Sequence, residues 1–408
     1  MKRLLAAFLM VVCVFGSCGC SEWIKDSYQS VSPHIEQQPQ PTTQPPIEEP
    51  AVITNRNELR GAVLSCIRDW TERSELRVHD YSGDIQTDLT ESVAYATEED
   101  PIGAYAVDHM DAELTGSEKS GTISLAIVFR RSAAEIDAIV TVNGIANANY
   151  RIQKALEAYD TSLTLRIRNY QETDYAAYIR DYCLKHPDAV VALPELSAEV
   201  YPKDGETRIL ELHFAYPETR DTMRTMLASV NTILSSASSY ISACDTDAEC
   251  AALLYRFLTT RLDYTLDDFE PTMPAYRLLC EGAASSLAFS SVFYSECTSA
   301  GLECLLVTGI RGEQPYYWNI INIDGAYFHV DLMRGIGSGE PELLTGTQLR
   351  DEGYFWDEAA YPAPPEEPDD PNNPNPPDLP PEPTEPLPPP TTAAEPTEPP
   401  ATSVPEEP

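Results

Sequence analysis

The fold is decided by residues 275–331, which read AYRLLCEGAASSLAFSSVFYSECTSAGLECLLVTG (275–309) and, after a short loop, YYWNIINIDGAYFHVD (316–331). The first part predicts a helix that begins near Ala283 and ends at Ala300-Gly301. Three strands are predicted after this helix, over residues 303–308, 318–323 and 326–331. The last two are joined by Asp324-Gly325, a pair that accepts positive φ and closes a type I′ hairpin. A helix packed on a hairpin can hold three side chains in one cleft.

Four short motifs in and around this region follow one another in a characteristic order. They are Ala275-Tyr276, Gly301-Leu302, Trp318-Asn319 and Phe328-His329-Val330-Asp331. Over residues 232–339 they resemble the transglutaminase-like family, bacterial relatives of the papain-type thiol hydrolases. That family carries Val-Cys-x-Gly-Tyr-Ala at the start of its helix, followed by His-Ala-Trp-Asn and Trp-Tyr-His-Val-Asp. The resemblance implies an α+β, papain-like domain over residues 229–345.

Two of the three positions of the family's catalytic triad carry other residues here. Counting back from Gly301 without a gap places Ser286 at the cysteine position, Tyr316 falls at the histidine position, and Asp331 matches the aspartate. A helix N-terminus and a nearby imidazolium stabilise a thiolate, whereas a serine hydroxyl needs a general base within hydrogen-bond reach. Tyr316 is a poor base, because a phenol with a pKa of about 10 is protonated near neutral pH. The resemblance therefore implies a degenerate, non-catalytic site.

A second register remains open, because Cys280-Glu281-Gly282 also spells the start of the family's Cys-x-Gly phrase. A nucleophile at Cys280 would require six more residues before Gly301, roughly 9 Å of helix at 1.5 Å per residue. No histidine precedes Trp318-Asn319 in either register. His329, two residues from Asp331 on the same face of its strand, could serve instead, or could simply fill its usual place in the Phe-His-Val-Asp motif. Trp318, Asn319 and His329 would then support the site.

The N-terminal residues 1–20 predict a secretion signal. Lys2-Arg3 supply the positive start, and the apolar run over residues 4–15 is too short to span a membrane. The following Gly16-Ser17-Cys18-Gly19-Cys20 resembles a bacterial lipobox, with Cys18 favoured over Cys20 as the lipidated residue. An ordinary cleaved signal peptide is the alternative. The prediction is an exported protein, either lipid-anchored on the outer face of the bacterial cytoplasmic membrane or secreted.

Two low-complexity segments, residues 21–53 and 361–408, predict disordered ends. The first is rich in Gln and Pro and predicts a tether. The second contains 20 of the 35 prolines and 11 carboxylates, without Lys or Arg, and predicts an extended, polyproline-like tail. This tail could be a stalk, a docking segment for a proline-binding partner, or only a solvated end.

The middle of the chain contains an apparent duplication. Helical spacing followed by a strand occurs once at residues 59–81 and again at residues 152–170, and each copy continues with a helical patch, an Asp/Pro turn and a pair of strands. The pattern predicts two tandem small α+β units, over residues 54–145 and 146–228, each with a small antiparallel sheet. Such units in front of an enzyme-like domain suggest surface recognition or spacing.

Composition and cysteines limit the remaining function classes. A net charge of −38 argues against nucleic acid binding and against electrostatic attachment to anionic lipid. The six histidines form no metal-ligand spacing, and the chain has no phosphate-binding or dinucleotide motif, so we predict neither a metal nor a cofactor. Cys244 and Cys250 are close enough for a disulfide, and Cys66, Cys183 and Cys297 lie among apolar residues that predict core positions.

Three functional hypotheses follow from the sequence. The first is a non-catalytic surface lipoprotein whose degenerate domain and tandem units bind a protein or a cell-wall polymer. The second is an active thiol peptidase or acyl-transferase that uses Cys280. The third is a structural spacer without a ligand.

Overall fold

The computed structural model describes residues 52–117, 119–242, 244–266, 272–339 and 341–362. The predicted signal segment with Cys18 and Cys20, residues 21–51 of the predicted linker and residues 363–408 of the predicted tail lie outside these ranges. The described part is a mixed α+β protein with several sheets. It divides into two compact units: residues 52–66, 71–93 and 110–127 form the first, and residues 67–70, 94–109 and those from 128 onward form the second.

The first sheet contains both a parallel and an antiparallel pairing of strands. Its strands are β1 (Val52–Ile53), β2 (Arg73–Val78), β3 (Val107–Gly116) and β4 (Gly121–Phe129), in the order β1-β2-β4-β3. Helices α1 (Arg56–Arg68), α2 (Ile85–Ala94) and α3 (Pro101–Ala106) connect them, with a π-helical turn over Tyr95–Glu99. β1 pairs in parallel with β2, because α1 returns the chain to the same end of the sheet. Val52 and Ile53, the last two residues of the predicted linker, thus belong to the sheet.

The second sheet repeats this topology. Its strands are β5 (Val140–Asn143), β6 (Ser162–Arg168), β7 (Glu195–Tyr201) and β8 (Thr207–Ala215), in the order β5-β6-β8-β7. Helices α4 (Ala133–Asp137), α5 (Gly144–Ala158) and α6 (Tyr175–Lys185) precede or connect these strands. β5 and β6 are parallel, so the expectation of purely antiparallel sheets was wrong in one pair of each sheet. β5 also begins before residue 146, where the second unit was predicted to start.

Residues with left-handed backbone conformation recur at matching places in the two sheets. Trp70 and Tyr159 each follow a long helix and have φ of 49° and 55°. Asp80 and Asn169 follow the second strand of each sheet, with φ of 51° and 53°. Each pair is separated by 89 positions, as 70 to 159 and 80 to 169. Non-glycine residues rarely adopt this conformation, so its recurrence at one constant offset is a specific similarity of the two chain segments.

The remaining elements are a series of helices followed by a four-stranded sheet. The first of these elements are α7 (Arg220–Tyr240), α8 (Asp247–Thr260), β9 (Thr265–Leu266), α9 (Pro274–Tyr276), a π-helical turn (Arg277–Glu281), β10 (Ala283–Ala284) and α10 (Ser286–Ser299). The sheet follows with β11 (Cys304–Arg311), β12 (Gln314–Ile323), β13 (Ala326–Val330), α11 (Gly346–Asp351) and β14 (Tyr354–Trp356). The strand order is β13-β12-β11-β14, and all pairs are antiparallel. Helix α7 begins before residue 229 and β14 comes after residue 345, the two ends of the predicted range.

The central helix α10 begins at Ser286 rather than near Ala283. The reason is local, because the Ser285 side chain accepts a hydrogen bond from the Ala288 N–H and caps the helix, while Ala283–Ala284 pairs with β9. The predicted hairpin is confirmed, with Ile323 opposite Ala326. Its two turn residues have φ of 53° and 88°, as a type I′ turn requires.

Helix α10 is buried on nearly all sides. Its sequence is therefore not divided into an apolar face and a polar face. On one side its Ser290 carbonyl accepts a hydrogen bond of 3.0 Å from Asn319 Nδ2 on β12. The opposite face of the sheet is covered by a cluster built on Val307, Trp318, Ile320, Leu344, Leu349 and Tyr354. Cys244 and Cys250 form a disulfide, as predicted, and Cys66, Cys183 and Cys297 are buried. None of the helices in the described ranges is both long and apolar enough to cross a membrane.

Candidate functional site

Asp331 follows β13 and is the centre of a buried hydrogen-bond network. Its side chain is 2% exposed, and its Oδ2 accepts from the phenols of Tyr316 at 3.0 Å and Tyr354 at 2.6 Å. Its Oδ1 accepts from the Met333 N–H at 3.0 Å. Burial raises the pKa of Asp331, and these hydrogen bonds together with the nearby positive charge of Arg311 act against that rise. A carboxylate at this place is therefore held by fixed donors.

Tyr316 is the residue that was predicted at the family's histidine position. Its phenol donates to Asp331 and accepts a hydrogen bond of 3.2 Å from Arg311 Nη1. Burial raises the pKa of Tyr316 well above its ordinary value, and the negative charge of Asp331 raises it further. The Arg311 guanidinium also lies over the rings of Tyr316 and Tyr354, at 5.3 and 4.7 Å. The phenol is thus neutral and fixed on both sides, and it cannot accept a proton from a nucleophile.

Ser286, which was predicted at the cysteine position, is the first residue of α10. Its Oγ accepts a hydrogen bond of 3.3 Å from the backbone N–H of Tyr317, beyond the last β12–β13 pair at Asn319–Val330. The three residues that were predicted at the triad positions therefore lie near one end of the sheet. Tyr316 bonds Asp331 directly, and Ser286 bonds the backbone of the residue that follows Tyr316.

Cys280 lies in a different setting from Ser286. It is exposed on the π-helical turn that precedes β10, so it does not stand at the N-terminus of α10. Partial burial raises the pKa of its thiol, and the positive charge of Arg261 opposes this while the negative charge of Glu281 adds to it. The thiol form is accordingly favoured over the thiolate that nucleophilic attack requires.

His329 is a core residue in this structure. It is 1% exposed, its Nδ1 accepts a hydrogen bond of 2.9 Å from Trp318 Nε1, and its ring lies 4.9 Å from that of Trp356. Burial lowers the pKa of His329 to about 4. Because Nδ1 accepts, the proton of the neutral ring is on Nε2, and this atom has no hydrogen-bond partner in the described part of the chain. The ring therefore supports the sheet rather than a nucleophile.

The other two predicted supporting residues also hold the scaffold together. Trp318 is buried with its ring 5.4 Å from that of Tyr354 and 5.6 Å from that of Trp356. Asn319 is fully buried and ties β12 to α10 through Ser290. Both residues fix the strand that carries Tyr316.

Two residues of the network were missed at the sequence level. Arg311 lies at the end of β11, and Tyr354 comes from β14, outside the predicted domain. Aromatic residues 354–356, directly after Gly353 and before the proline-rich tail, are a strand signal that could have indicated Tyr354. Within the ranges that the structure describes, no group of three or more His, Cys, Asp or Glu residues could hold a metal ion.

Comparison with known proteins finds weak similarity to solved structures. No family model and no curated protein matches this chain. A solved structure described as a TGase aligns at a TM-score of 0.24 and 9% identity, covering 51% of this chain and 62% of its own. A protein from Cytophaga hutchinsonii proposed to be a cysteine protease aligns at a TM-score of 0.24 and 8% identity, covering 37% and 65% respectively. The chain thus spans less than two thirds of the length of either neighbour.

Proposed function

We propose that residues 220–356 form a non-catalytic, transglutaminase-like binding module at the bacterial envelope. The observation that carries the proposal is Tyr316. Its phenol takes the place of a catalytic imidazole, and it is held between Asp331 and Arg311. A serine nucleophile without a base in reach cannot be activated, so Ser286 has no route to an acyl-enzyme.

The assignment of the triad positions is tested by restoring the family's residues. A Cys280→Ser background removes the exposed thiol of the described chain. In it, Ser286→Cys with Tyr316→His should react faster with iodoacetamide near neutral pH than Ser286→Cys alone, because an imidazole beside the thiol favours the thiolate. Equal alkylation rates in the double and single variants would show that Ser286 and Tyr316 do not face each other.

The alternative function is an active thiol peptidase or acyl-transferase with Cys280 as nucleophile. The exposure of this free thiol is the observation that favours it. The test is the alkylation rate of the unmodified protein, followed by assays for hydrolysis of peptide and ester substrates and for amine incorporation. Slow alkylation and no turnover support the binding module, whereas rapid labelling of Cys280 with turnover lost in Cys280→Ser would establish the enzyme.

An exposed apolar pair on the sheet supports a protein as the partner. Ile310 on β11 and Phe355 on β14 are directly opposite each other in the strand register and are 47% and 61% exposed. Adjacent exposed apolar side chains suit a protein surface, and the net charge of −38 favours a partner without excess negative charge. A cell-wall polymer is the alternative partner, and the test must distinguish it from a protein.

The partner class is tested with the immobilised chain. Purified secreted proteins and isolated wall polymer are offered separately to the wild type and to the double variant Ile310→Ser with Phe355→Ser. Loss of protein binding in this variant, with retention in Leu266→Ser, a residue of 66% exposure elsewhere, would support the proposal. Binding of wall polymer alone would replace the protein partner, and no binding at all would favour a structural spacer.

We also propose that the chain is exported and lipid-anchored. The positive Lys2-Arg3, the apolar run and the sequence around Cys18 and Cys20 support this. Cells that express the full chain are fed an alkyne-labelled fatty acid. Label that is lost in Cys18→Ala and retained in Cys20→Ala assigns Cys18, and the reverse result assigns Cys20. Absence of label in the wild type would indicate an ordinary signal peptide.

We infer further that the segments carrying the two four-stranded sheets are tandem copies of one unit. Their common strand order and the recurrence of left-handed residues at an offset of 89 positions support a duplication. The sequence of these segments has no catalytic or metal-site arrangement. We therefore assign them a role in recognition or spacing.

A further inference from the structure

The two four-stranded sheets carry equivalent polar pairs at their centres. The left-handed residues that follow β2 and β6 are 89 positions apart, which makes Glu75 on β2 equivalent to Thr164 on β6. Glu75 lies opposite Ser124 on β4, and Thr164 lies opposite Glu211 on β8. Residues directly opposite on antiparallel strands share one face of the sheet. Each sheet therefore presents one carboxylate beside one hydroxyl, with the two strands exchanged.

The neighbouring pair confirms that the same faces are being compared. One residue further along, Leu76 is opposite Ile123 in the first sheet, and Leu165 is opposite Leu210 in the second. Ile123, Leu165 and Leu210 are fully buried. Because successive side chains point to opposite faces, both polar pairs lie on the face that is turned away from these core residues.

In the second sheet the polar pair is covered. Glu211 is 5% exposed, its Oε1 accepts a hydrogen bond of 3.2 Å from the Tyr105 phenol, and its Oε2 accepts one of 2.5 Å from Arg131 Nη2. The Arg131 guanidinium also lies 5.0 Å from the centre of the Tyr105 ring. This face thus binds a guanidinium and a phenol together on one carboxylate.

In the first sheet the equivalent pair is uncovered. Glu75 and Ser124 are exposed, and within the described part of the chain neither side chain has a hydrogen-bond or ion-pair partner. A cleft of about 560 Å³ lies here, and its lining includes Arg73, Glu75, Asp111, Glu113, Ser124 and Ala126. Glu113 on β3 adds a second exposed carboxylate to that of Glu75.

We propose that this face of the first sheet binds an arginine side chain of a partner protein on Glu75, with Ser124 beside it. The inference rests on the tandem-copy proposal made above. A planar guanidinium suits a carboxylate because it donates two parallel hydrogen bonds, and it stacks on an aromatic ring, as Arg131 and Tyr105 do on Glu211. The partner is therefore a protein segment that presents arginine next to an aromatic residue.

The chain itself does not supply this arginine. Residues 21–51 contain one cation, Lys25, and residues 363–408 contain neither Lys nor Arg. A second copy is disfavoured because two chains of net charge −38 repel each other. A different protein without excess negative charge fits the face best.

The experiment measures binding of short capped peptides to the full chain at constant, low salt. One peptide carries tyrosine and arginine between glycines, and two matched peptides carry lysine or citrulline in place of arginine. Citrulline retains the shape of the side chain without its charge. The arginine peptide should bind at least about tenfold more tightly than the citrulline peptide, because hydrogen bonds between charged groups are the stronger ones. Lysine, which cannot form the bidentate pair, should be intermediate.

Variants locate the binding on the sheet. Glu75→Gln should weaken the arginine peptide about tenfold or more. Glu313→Gln, which removes an exposed carboxylate in the turn between β11 and β12, should bind it like the wild type. Equal affinity in these two variants would show only a general attraction to an acidic chain and would overturn the proposal, as would absence of binding to the wild type. Dimerisation of the wild type that is lost in Glu75→Gln would assign the face to a second copy and overturn the partner protein.

The number of peptides bound separates this inference from the proposals on which it rests. Arg131→Ala uncovers Glu211, so equivalent sheets should give two bound peptides per chain in this variant and one in the wild type. Binding in Arg131→Ala that persists in Glu75→Gln with Arg131→Ala, without binding to the wild type, would support the tandem copies and overturn docking on the first sheet. The variant Ile310→Ser with Phe355→Ser should bind the peptide like the wild type, whatever happens to its protein binding.

Discussion

Asp331 is held by the phenols of two tyrosines, Tyr316 and Tyr354. In a Cys-His-Asp triad the aspartate orients an imidazole and stabilises its cation. Here Asp331 accepts from two phenols, and burial raises the pKa of both, so neither becomes a base near neutral pH. The carboxylate therefore contributes to holding β12, β13 and β14 together.

The substitution Tyr316→Phe tests this structural role. It removes one of the donors to a buried carboxylate and leaves the Arg311 guanidinium without its phenol acceptor. We expect a loss of about 1–3 kcal/mol in the free energy of unfolding, measured by urea denaturation. Tyr327→Phe is the matched control, because the Tyr327 phenol donates its hydrogen bond to Glu303 at an exposed position. Equal stability of the two variants would mean that the network around Asp331 contributes nothing.

His329 predicts a pH dependence of stability. Its pKa is lowered to about 4 in the folded protein, from an ordinary value of 6.5, because burial disfavours the imidazolium. Between pH 6.5 and 4, His329 binds a proton in the unfolded chain but not in the folded protein. Stability should therefore fall as the pH falls through this window, by about 3 kcal/mol in total. His329→Gln should remove this contribution.

The wild type alone would hide the effect, because Glu296 titrates in the opposite sense. Burial raises the pKa of Glu296 to about 7 from an ordinary 4.5, so the folded protein takes up a proton first and gains stability as the pH falls from 7 to 4.5. The measurement is the slope of unfolding free energy against pH in His329→Gln and Glu296→Gln, each minus that of the wild type. Differences of the same sign for both variants would refute the account.

At the scale of single elements, the features set by neighbouring residues were predictable. Helix α10, the Asp324-Gly325 turn and the Cys244–Cys250 disulfide depend on local patterns or short spacings, and each is present in the structure. The start of α10 was placed three residues early, because Ser285 rather than Ala283 supplies the cap. Local chemistry thus located the helix and the hairpin to within a few residues.

Elements that depend on distant partners were not predictable. β1 has only two residues, and it is a strand because Val52 and Ile53 find β2 about 25 positions later. β14 is three residues long and pairs with β11, from which it is separated in the sequence by the whole β12–β13 hairpin. The partners of Asp331 were missed for the same reason, since Tyr354 and Arg311 meet it only when these strands pair. A period-2 or period-3.6 pattern contains no information on such pairings.

Capping of α10 gives a prediction at the same scale. The Ser285 side chain accepts from the Ala288 N–H at 3.2 Å, and it is nearly buried. Ser285→Ala should lower the free energy of unfolding by about 1 kcal/mol, because the helix then starts with an unpaired N–H. Ser235→Ala, at an exposed position inside α7, should change it by less than about 0.5 kcal/mol. A loss in Ser235→Ala as large as that in Ser285→Ala would argue against the cap.

On the scale of the whole molecule, the chain joins two segments of the same topology to a domain with a buried central helix. The cluster around Trp318 covers one face of the last sheet, and α10 covers the other. Hydrogen bonds from Tyr316 and Tyr354 to Asp331 connect strands of this sheet. The exposed features of the described residues include an apolar pair, Ile310 and Phe355, on neighbouring strands of this sheet.

Charge predicts how the whole chain responds to salt. With 65 acidic and 27 basic residues the chain repels itself, and the repulsion is greatest at low ionic strength, where the screening length is about 30 Å at 0.01 M. Raising NaCl from about 10 mM to about 300 mM should increase the free energy of unfolding by an amount on the order of 1 kcal/mol. Screening of exposed ion pairs such as Arg350–Glu358 acts in the opposite direction, but each such pair contributes little.

The salt experiment separates these two electrostatic effects. A chain ending at residue 362 lacks 11 carboxylates and should respond to NaCl less strongly than the full chain. Sucrose at equal osmolality serves as the control for effects other than charge screening. If stability falls as NaCl rises, attraction within the exposed ion pairs outweighs the repulsion between carboxylates, and the acidic composition then acts on partners rather than on folding.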